Sequence, residues 1–451
     1  MKTLETLRQA LANNQTTSRD IIEECLARIE DKEGEGSRAF IHVDPAAVRS
    51  EADAMDRLRN NGAEPSPYAG IPISVKDLFD IQGQKTLAGS RVLADSPPAV
   101  KDCAAVARLR TAGFIIIGRT NMTEFAYSGL GLNPHYGTPK NPYDRHSQRI
   151  PGGSSSGGAI SITDGMAAAA LGTDTGGSCR IPAAMSGIVG LKPTAARIPT
   201  DGVIPLSTSL DSVGMLAYST RCCAILDSIL SAEEDLSMPA PIDPEEIRFG
   251  VVTDYVLDDM DHNVESAFTN ALSKLRQKGI EVADVPFPEL YEISTSLTKG
   301  GLSAAEAYAW HRSLLEGNMD KYDPRVSARI IRGQEQSAAD YIDLLNARCE
   351  LIKKAETVFS SFDILVFPTV PIIAPLFSEL ENDDDYARIN LLALRNPTVT
   401  NILDRCAISI PVQEPETAPV GLMLMGENGA DRNLLSVSIA VEAIVRDFSQ
   451  A

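Results

Sequence analysis

Three observations on this 451-residue chain predict an α/β fold with a buried sheet. Short apolar runs alternate with helical patterns. The runs are apolar throughout rather than alternating, as in strands covered on both faces. With 43% hydrophobic and 23% charged residues, the composition is that of a folded chain and too apolar for disorder. Length alone points to about three domains at roughly 150 residues each, a prior that large α/β folds break.

Taken in order, Thr17 to Asp20 fits a capping box that opens a helix with Ile21, Ile22, Cys25, Leu26 and Ile29 on its buried side. Ile71 to Val75 reads as a strand, Cys103 to Ala112 as a helix, and Phe114 to Ile117 as a second strand. Residues 128–214 are dense in Gly, Ser, Thr and Pro and read as a loop-rich region, where chemistry is often carried. The acidic, Pro-rich stretch 233–246 reads as a surface connection without the marks of a domain boundary. Ile247 to Val252 and Ile364 to Phe367 are further strands, with an amphipathic stretch from Val264 to Lys278 between them. The acidic run Glu381 to Asp385 reads as a solvated loop. No apolar run reaches the length of a membrane span, and the first thirty residues lack a signal-peptide core, so the expectation is a cytoplasmic protein.

Charge excludes some partners. With 41 Lys+Arg against 61 Asp+Glu the formal net charge is −20, which argues against direct binding to nucleic acid or to an anionic membrane. Only 5 His occur, none in a metal-ligand spacing, and the 7 Cys are scattered without a C-x-x-C pair. Neither a metal nor a disulfide framework is indicated, and reduced thiols are expected.

The segments that stand out are 151–158 (PGGSSSGG) and 172–182 (GTDTGGSCRIP). Glycine here lets the backbone take special dihedrals and approach a bound group, and consecutive N–H groups around Gly176, Gly177 and Ser178 could point together at an oxyanion. A serine nucleophile needs a base. Lys76 ends a mostly apolar strand, where lysine is unusual. To act as a base it must titrate near 7–8 rather than near 10.4, about 4 kcal/mol against its charged form, which burial can supply. A strand-end lysine that snorkels to solvent is the bland alternative.

Other parsings exist. Gly153 to Gly157 fits the G-x-S-x-G elbow with Ser155 as nucleophile, but only His262 and His311 lie downstream, neither in an evident catalytic loop. Ser296 to Lys299 satisfies S-x-x-K without its companion motifs, and Gly152 to Gly158 lacks the Lys of a phosphate loop.

Together, 70–80 (GIPISVKDLFD), 151–158 and 172–193 resemble the amidase signature family, amide hydrolases with a Ser–cisSer–Lys triad. The resemblance runs from about Leu11 to the C-terminus. It implies one large α/β domain over 1–451, a central mixed sheet flanked by helices on both faces. The signature core would span about 65–215, with 247–451 completing the sheet and the substrate pocket. By position, Ser178 matches the nucleophile, Ser154 the bridging serine after a cis Gly153–Ser154 peptide, and Lys76 the base. The N–H groups of Thr175, Gly176, Gly177 and Ser178 would form the oxyanion hole. Tyr127, Ser128 and Gly129 match a substrate-facing loop, with core packing the alternative for Tyr127; Arg180 could anchor a substrate carboxylate or form a structural salt bridge, and Ser155, Thr173 and Asp174 would brace the site. Arg325 recurs in relatives without a clear contact.

Two departures matter: Cys179 replaces a branched aliphatic residue, and Arg405 to Ala407 stands where many relatives have Gly-Leu-Pro at the pocket border. The implied activity is hydrolysis of a small-molecule amide to acid and ammonia or amine, with no cofactor. A homodimer is the default oligomer. The alternative within the family is the glutaminase component of a tRNA-dependent amidotransferase complex, which works with a partner subunit.

Overall fold

A computed structural model describes residues 2–233, 238–240 and 242–446 of the chain. The predicted capping box is present: the Thr17 N–H donates to Asp20 Oδ2 at 3.1 Å and the Asp20 N–H to Thr17 Oγ1 at 3.0 Å. It starts the helix Ser18–Glu30, which buries Ile21, Ile22, Cys25 and Leu26.

Eleven strands form one sheet: β1 Phe40–His42, β2 Pro72–Lys76, β3 Ile115–Thr120, β4 Ala169–Asp174, β5 Val189–Lys192, β6 Ser212–Ala217, β7 Phe249–Val252, β8 Val282–Val285, β9 Ile364–Pro368, β10 Ala407–Pro411 and β11 Gly421–Met425. Their spatial order is β1-β3-β2-β4-β6-β5-β10-β11-β9-β7-β8. β2 lies parallel between β3 and β4, while β4–β6, β5–β6 and β5–β10 are antiparallel, so the sheet is mixed as expected. The β5–β10 pairing carries the sheet without interruption from the first half of the chain into the second. Of the acidic connection 233–246, residues 234–237 and 241 lie outside the described residues. β2, β3 and β4 are buried at every position, the fate of an apolar run between two helical layers.

The region 128–214 is loop-rich as read: residues 128–155 hold only the short turn Arg145–Ser147, and 193–211 hold no helix or strand, while between them lie β4, β5 and the helices Ser156–Thr163 and Arg180–Ser186. Its small residues reflect close packing. A Cβ on Gly158 would meet the Ala170 Cβ at 3.2 Å, and one on Gly157 the Ala39 carbonyl oxygen at 2.2 Å, so this helix seats on the sheet only as glycine. One expectation is corrected in part: the acidic run 381–385 is solvated as read, but Asp383, Asp384 and Asp385 open the helix Asp383–Ile402 rather than a loop. Asn382 caps it, and three aspartates in the first turn meet the positive end of the helix dipole.

Among the described residues no helix is long and apolar enough to cross a membrane. The helices Gly301–Leu315, Pro324–Ile331 and Ala338–Phe359, together with Asp383–Ile402, wall a cavity of about 1500 Å³.

Candidate active site

Lys76 is the last residue of β2, and the sheet delivers its side chain into the interior with 1% exposure, so it does not snorkel. Its Nζ donates to Ser154 Oγ at 2.7 Å and to Thr173 Oγ1 at 3.0 Å. Burial lowers its pKa to about 8; Cys179, Asp174 and Asp211 pull the other way. The amine therefore exchanges its proton near neutrality, as a general base must.

Ser154 follows a cis Gly153–Ser154 peptide, as the resemblance implied. The surrounding backbone holds it: the Gly153 N–H donates to the Gly129 carbonyl at 2.8 Å, and the Thr123 N–H to the Ser154 carbonyl at 3.1 Å. The next N–H, of Ser155, donates to the Ser178 carbonyl at 3.2 Å, which joins the two serine segments. Of Lys76, Ser154 and Ser178, only Ser178 lines the cavity. The other two are sealed behind it.

Asp174 organises the turn that carries Ser178. Its carboxylate accepts from the Gly177 N–H at 2.9 Å and the Cys179 N–H at 3.0 Å, and pairs with Arg180 at 2.7 Å. Burial alone would raise its pKa, but Arg180 outweighs that and holds the carboxyl far below the usual range. Asp174 thus holds the turn by its N–H contacts, and Thr173 Oγ1 accepts from Lys76.

Gly177 departs from expectation, because its N–H is turned to Asp174 rather than to the cavity. It sits at φ +123°, and a Cβ there would meet the Pro397 Cβ at 2.5 Å, so glycine is required. Among the described residues the N–H groups of Thr175, Gly176 and Ser178 donate to no protein group. They remain available as anion donors beside the cavity.

Of the two readings of Arg180, the structure shows the salt bridge and not the substrate anchor. Arg180 is fully buried and spent within the protein, on Asp174, Thr400 Oγ1 at 2.6 Å, Asn401 Oδ1 at 2.7 Å and the Pro397 carbonyl at 3.1 Å. It ties the turn that carries Ser178 to the helix Asp383–Ile402 and does not reach the cavity.

Tyr127 and Ser128 do line the cavity. Ser128 Oγ donates to Asn390 Oδ1 at 2.8 Å and accepts from the Tyr386 hydroxyl at 2.7 Å. Gly129 is not on the wall; its N–H donates to Asn390 and its carbonyl holds Gly153. Ser155 is buried with its hydroxyl under Gly172, away from the cavity and from both downstream histidines. His311 is buried against Phe125, bonded to the Tyr322 hydroxyl at 2.9 Å, and burial lowers its pKa to about 3. His262 opens the helix His262–Gln277. Lys299 is paired with Asp340 on the surface, and Ser296 Oγ donates to the Ile293 carbonyl. The rival elbow and S-x-x-K therefore have no geometry behind them.

Cys179 is buried, and burial pushes its thiol up, as for an apolar filler. Arg405 to Ala407 is buried too but stands outside the cavity wall, contrary to the pocket-border expectation. Arg325 lines the cavity yet pairs with Asp383 at 2.7 Å and stacks on Tyr386. Among the described residues no cluster of His, Cys, Asp or Glu could hold a metal ion.

Three contributors escaped the sequence reading: Asp211, Asn390 and Arg329. Asn390 meets Gly129 across 261 positions, and no local pattern announces such a pairing.

The family model described as Amidase matches residues 20–435. The chain is 36% identical to 2-amino-5-chloromuconic acid deaminase of Comamonas testosteroni over 411 residues, covering 90% of this chain and 88% of that one. It is 33% identical to mandelamide hydrolase of Pseudomonas putida, over 95% of this chain and 88% of the other. A component of the glutamyl-tRNA(Gln) amidotransferase of Chloroflexus aggregans is 32% identical, over 98% of this chain and 96% of its own length. Among solved structures, a crystal structure of an amidase superposes with a TM-score of 0.88 at 31% identity, covering 99% of this chain and 100% of that one.

Proposed function

This chain belongs to the amidase signature family, enzymes that hydrolyse C–N bonds other than peptide bonds, and on that premise we propose a Lys76–Ser154–Ser178 relay acting on a carboxylated small-molecule amide. The observation that carries the reading is the buried Lys76 Nζ at 2.7 Å from Ser154 Oγ. Neutral Lys76 accepts the Ser154 proton, Ser154 takes the Ser178 proton, and Ser178 Oγ attacks the amide carbonyl. The N–H groups of Thr175, Gly176 and Ser178 receive the oxyanion, at roughly 3–4 kcal/mol per donor in comparable sites. The relay returns its proton to the leaving nitrogen, the C–N bond breaks, and water hydrolyses the acyl-enzyme by the same path. Because Lys76 and Ser154 are sealed behind Ser178, substrate meets Ser178 and not the two groups behind it.

The carboxylate rests on Arg329. Arg325, Arg332, Arg348, Arg388 and Arg395 also line the cavity, and each is committed to a carboxylate or carbonyl of the protein. Arg329 stands over the Tyr127 ring at 4.6 Å and, among the described residues, has a buried Nη1 without any partner. A buried unpaired guanidinium nitrogen is costly unless a ligand anion completes it. The relative named for 2-amino-5-chloromuconic acid is consistent with an acidic substrate.

A fluorophosphonate label followed by peptide mapping tests the nucleophile: modification at Ser178 supports the relay, and modification at Ser155 rejects it. Turnover of simple amides by the purified chain, without glutamine or a second protein, separates a free-standing amidase from an amidotransferase component.

A further inference from the structure

Asp211, just before β6, is a second carboxylate bonded to the turn that carries Ser178, and the relay does not use it. Its Oδ1 accepts from the Thr175 hydroxyl at 2.5 Å. Its Oδ2 accepts from the Leu206 and Ser207 N–H groups at 3.0 and 3.1 Å. Two charged groups face it: Lys76 from β2 and Glu306 from the helix Gly301–Leu315. Glu306 anchors the same loop, accepting from Ser207 Oγ at 2.5 Å, the Ser209 N–H at 3.0 Å and the Tyr341 hydroxyl at 2.7 Å. Leu206 and Leu210 of that loop line the cavity. One loop therefore touches the cavity wall, two helices and the oxyanion turn.

We infer that Asp211 is the positioning residue of the oxyanion turn, its carboxylate orienting Thr175 so that the Thr175 and Gly176 N–H groups face the reacting carbonyl. The inference rests on the relay proposed above. Because Oδ2 already accepts two N–H donors, a proton taken up by Asp211 must go to Oδ1. There it reverses the Thr175 bond and turns a charge-assisted bond into a neutral one of about half the strength. Burial raises the Asp211 pKa to about 6, so the group is ionised and orienting above that pH and neutral below it. The loss on acidification is separate from the protonation of Lys76, which titrates near 8.

The test is the pH profile of kcat/KM for wild type and Asp211→Asn, on protein whose Ser178 labelling has been established. The wild type is expected to show, beneath the Lys76 limb, an additional loss of roughly tenfold centred near pH 6. In Asp211→Asn that step disappears, and kcat/KM above pH 8 is lower by a similar factor while KM changes little. Thr175→Val, which keeps the carboxylate and removes the hydroxyl, abolishes the same step, and Thr175→Ser retains it. These two carry the test if Asp211→Asn does not fold. Profiles of unchanged shape in Asp211→Asn or Thr175→Val, with only the amplitude or Tm lowered, overturn the inference. Absence of label at Ser178 overturns the relay instead, so the two failures are distinguishable.

Discussion

The Ser178 side of this cavity and the helical wall facing it are built on opposite principles. Lys76, Ser154, Asp174 and Ser178 come from sheet strands and the turns beside them, are nearly inaccessible, and lie within a dense hydrogen-bond net. The facing wall is helical and lined by six arginines, with Arg329 left uncommitted. Chemistry demands fixed geometry, which close packing and satisfied polar groups provide. Recognition demands groups whose partner is absent until substrate arrives.

The largest effect expected from breaking this contrast lies on the rigid side. Ser178→Ala removes the attacking oxygen, and kcat in a hydrolysis assay should fall by ~10⁴-fold or more, with folding intact by circular dichroism. Next comes Arg180→Ala, which leaves Asp174 as an uncompensated buried charge. Denaturant unfolding should show about 3–5 kcal/mol of destabilisation. If stability holds and only KM rises, Arg180 is a substrate residue after all.

On the helical side, Arg329→Met should lower kcat/KM for a carboxylated amide by ~10²-fold, and for its neutral analogue by far less, without a comparable fall in Tm. Equal losses on both members of the pair would remove the carboxylate from the account. The smallest effect belongs to Lys299→Ala, on the exposed Lys299–Asp340 pair. Unchanged activity there separates the S-x-x-K parsing from the relay.

The same contrast governs what was legible in the sequence. Lys76, Ser154 and Ser178 stand in short dense motifs, because glycine is obligatory where backbone approaches backbone, as at Gly153 and Gly157. The mixed sheet and its helical layers followed from the resemblance, and the apolar strands from their composition. That glycine density rightly marked the long loops of 128–214, while Gly158 and Gly172 sit in the helix and strand between those loops, where an added Cβ would come within 3.2 Å of Ala170 and 2.9 Å of Ser155. Arg180 stayed open between a substrate anchor and a salt bridge, since nothing near it in the sequence shows that Asp174, Thr400 and Asn401 consume its donors. The Arg329, Asn390 and Asp211 contacts join segments far apart in the chain, set by tertiary folding alone.

The central claim, that the base is a neutral buried lysine, is tested most directly by the pH dependence of kcat/KM between pH 6.5 and 9.5. Burial depresses the folded-state pKa of Lys76 to about 8, so the active neutral form gains population as pH rises and saturates above that value. The account predicts a near tenfold rise per pH unit up to about 7.5, a plateau above 8.5, and loss of this limb together with activity in Lys76→Ala. A kcat/KM that falls as pH rises through 8 would mean that the protonated amine is the working form and would contradict the relay.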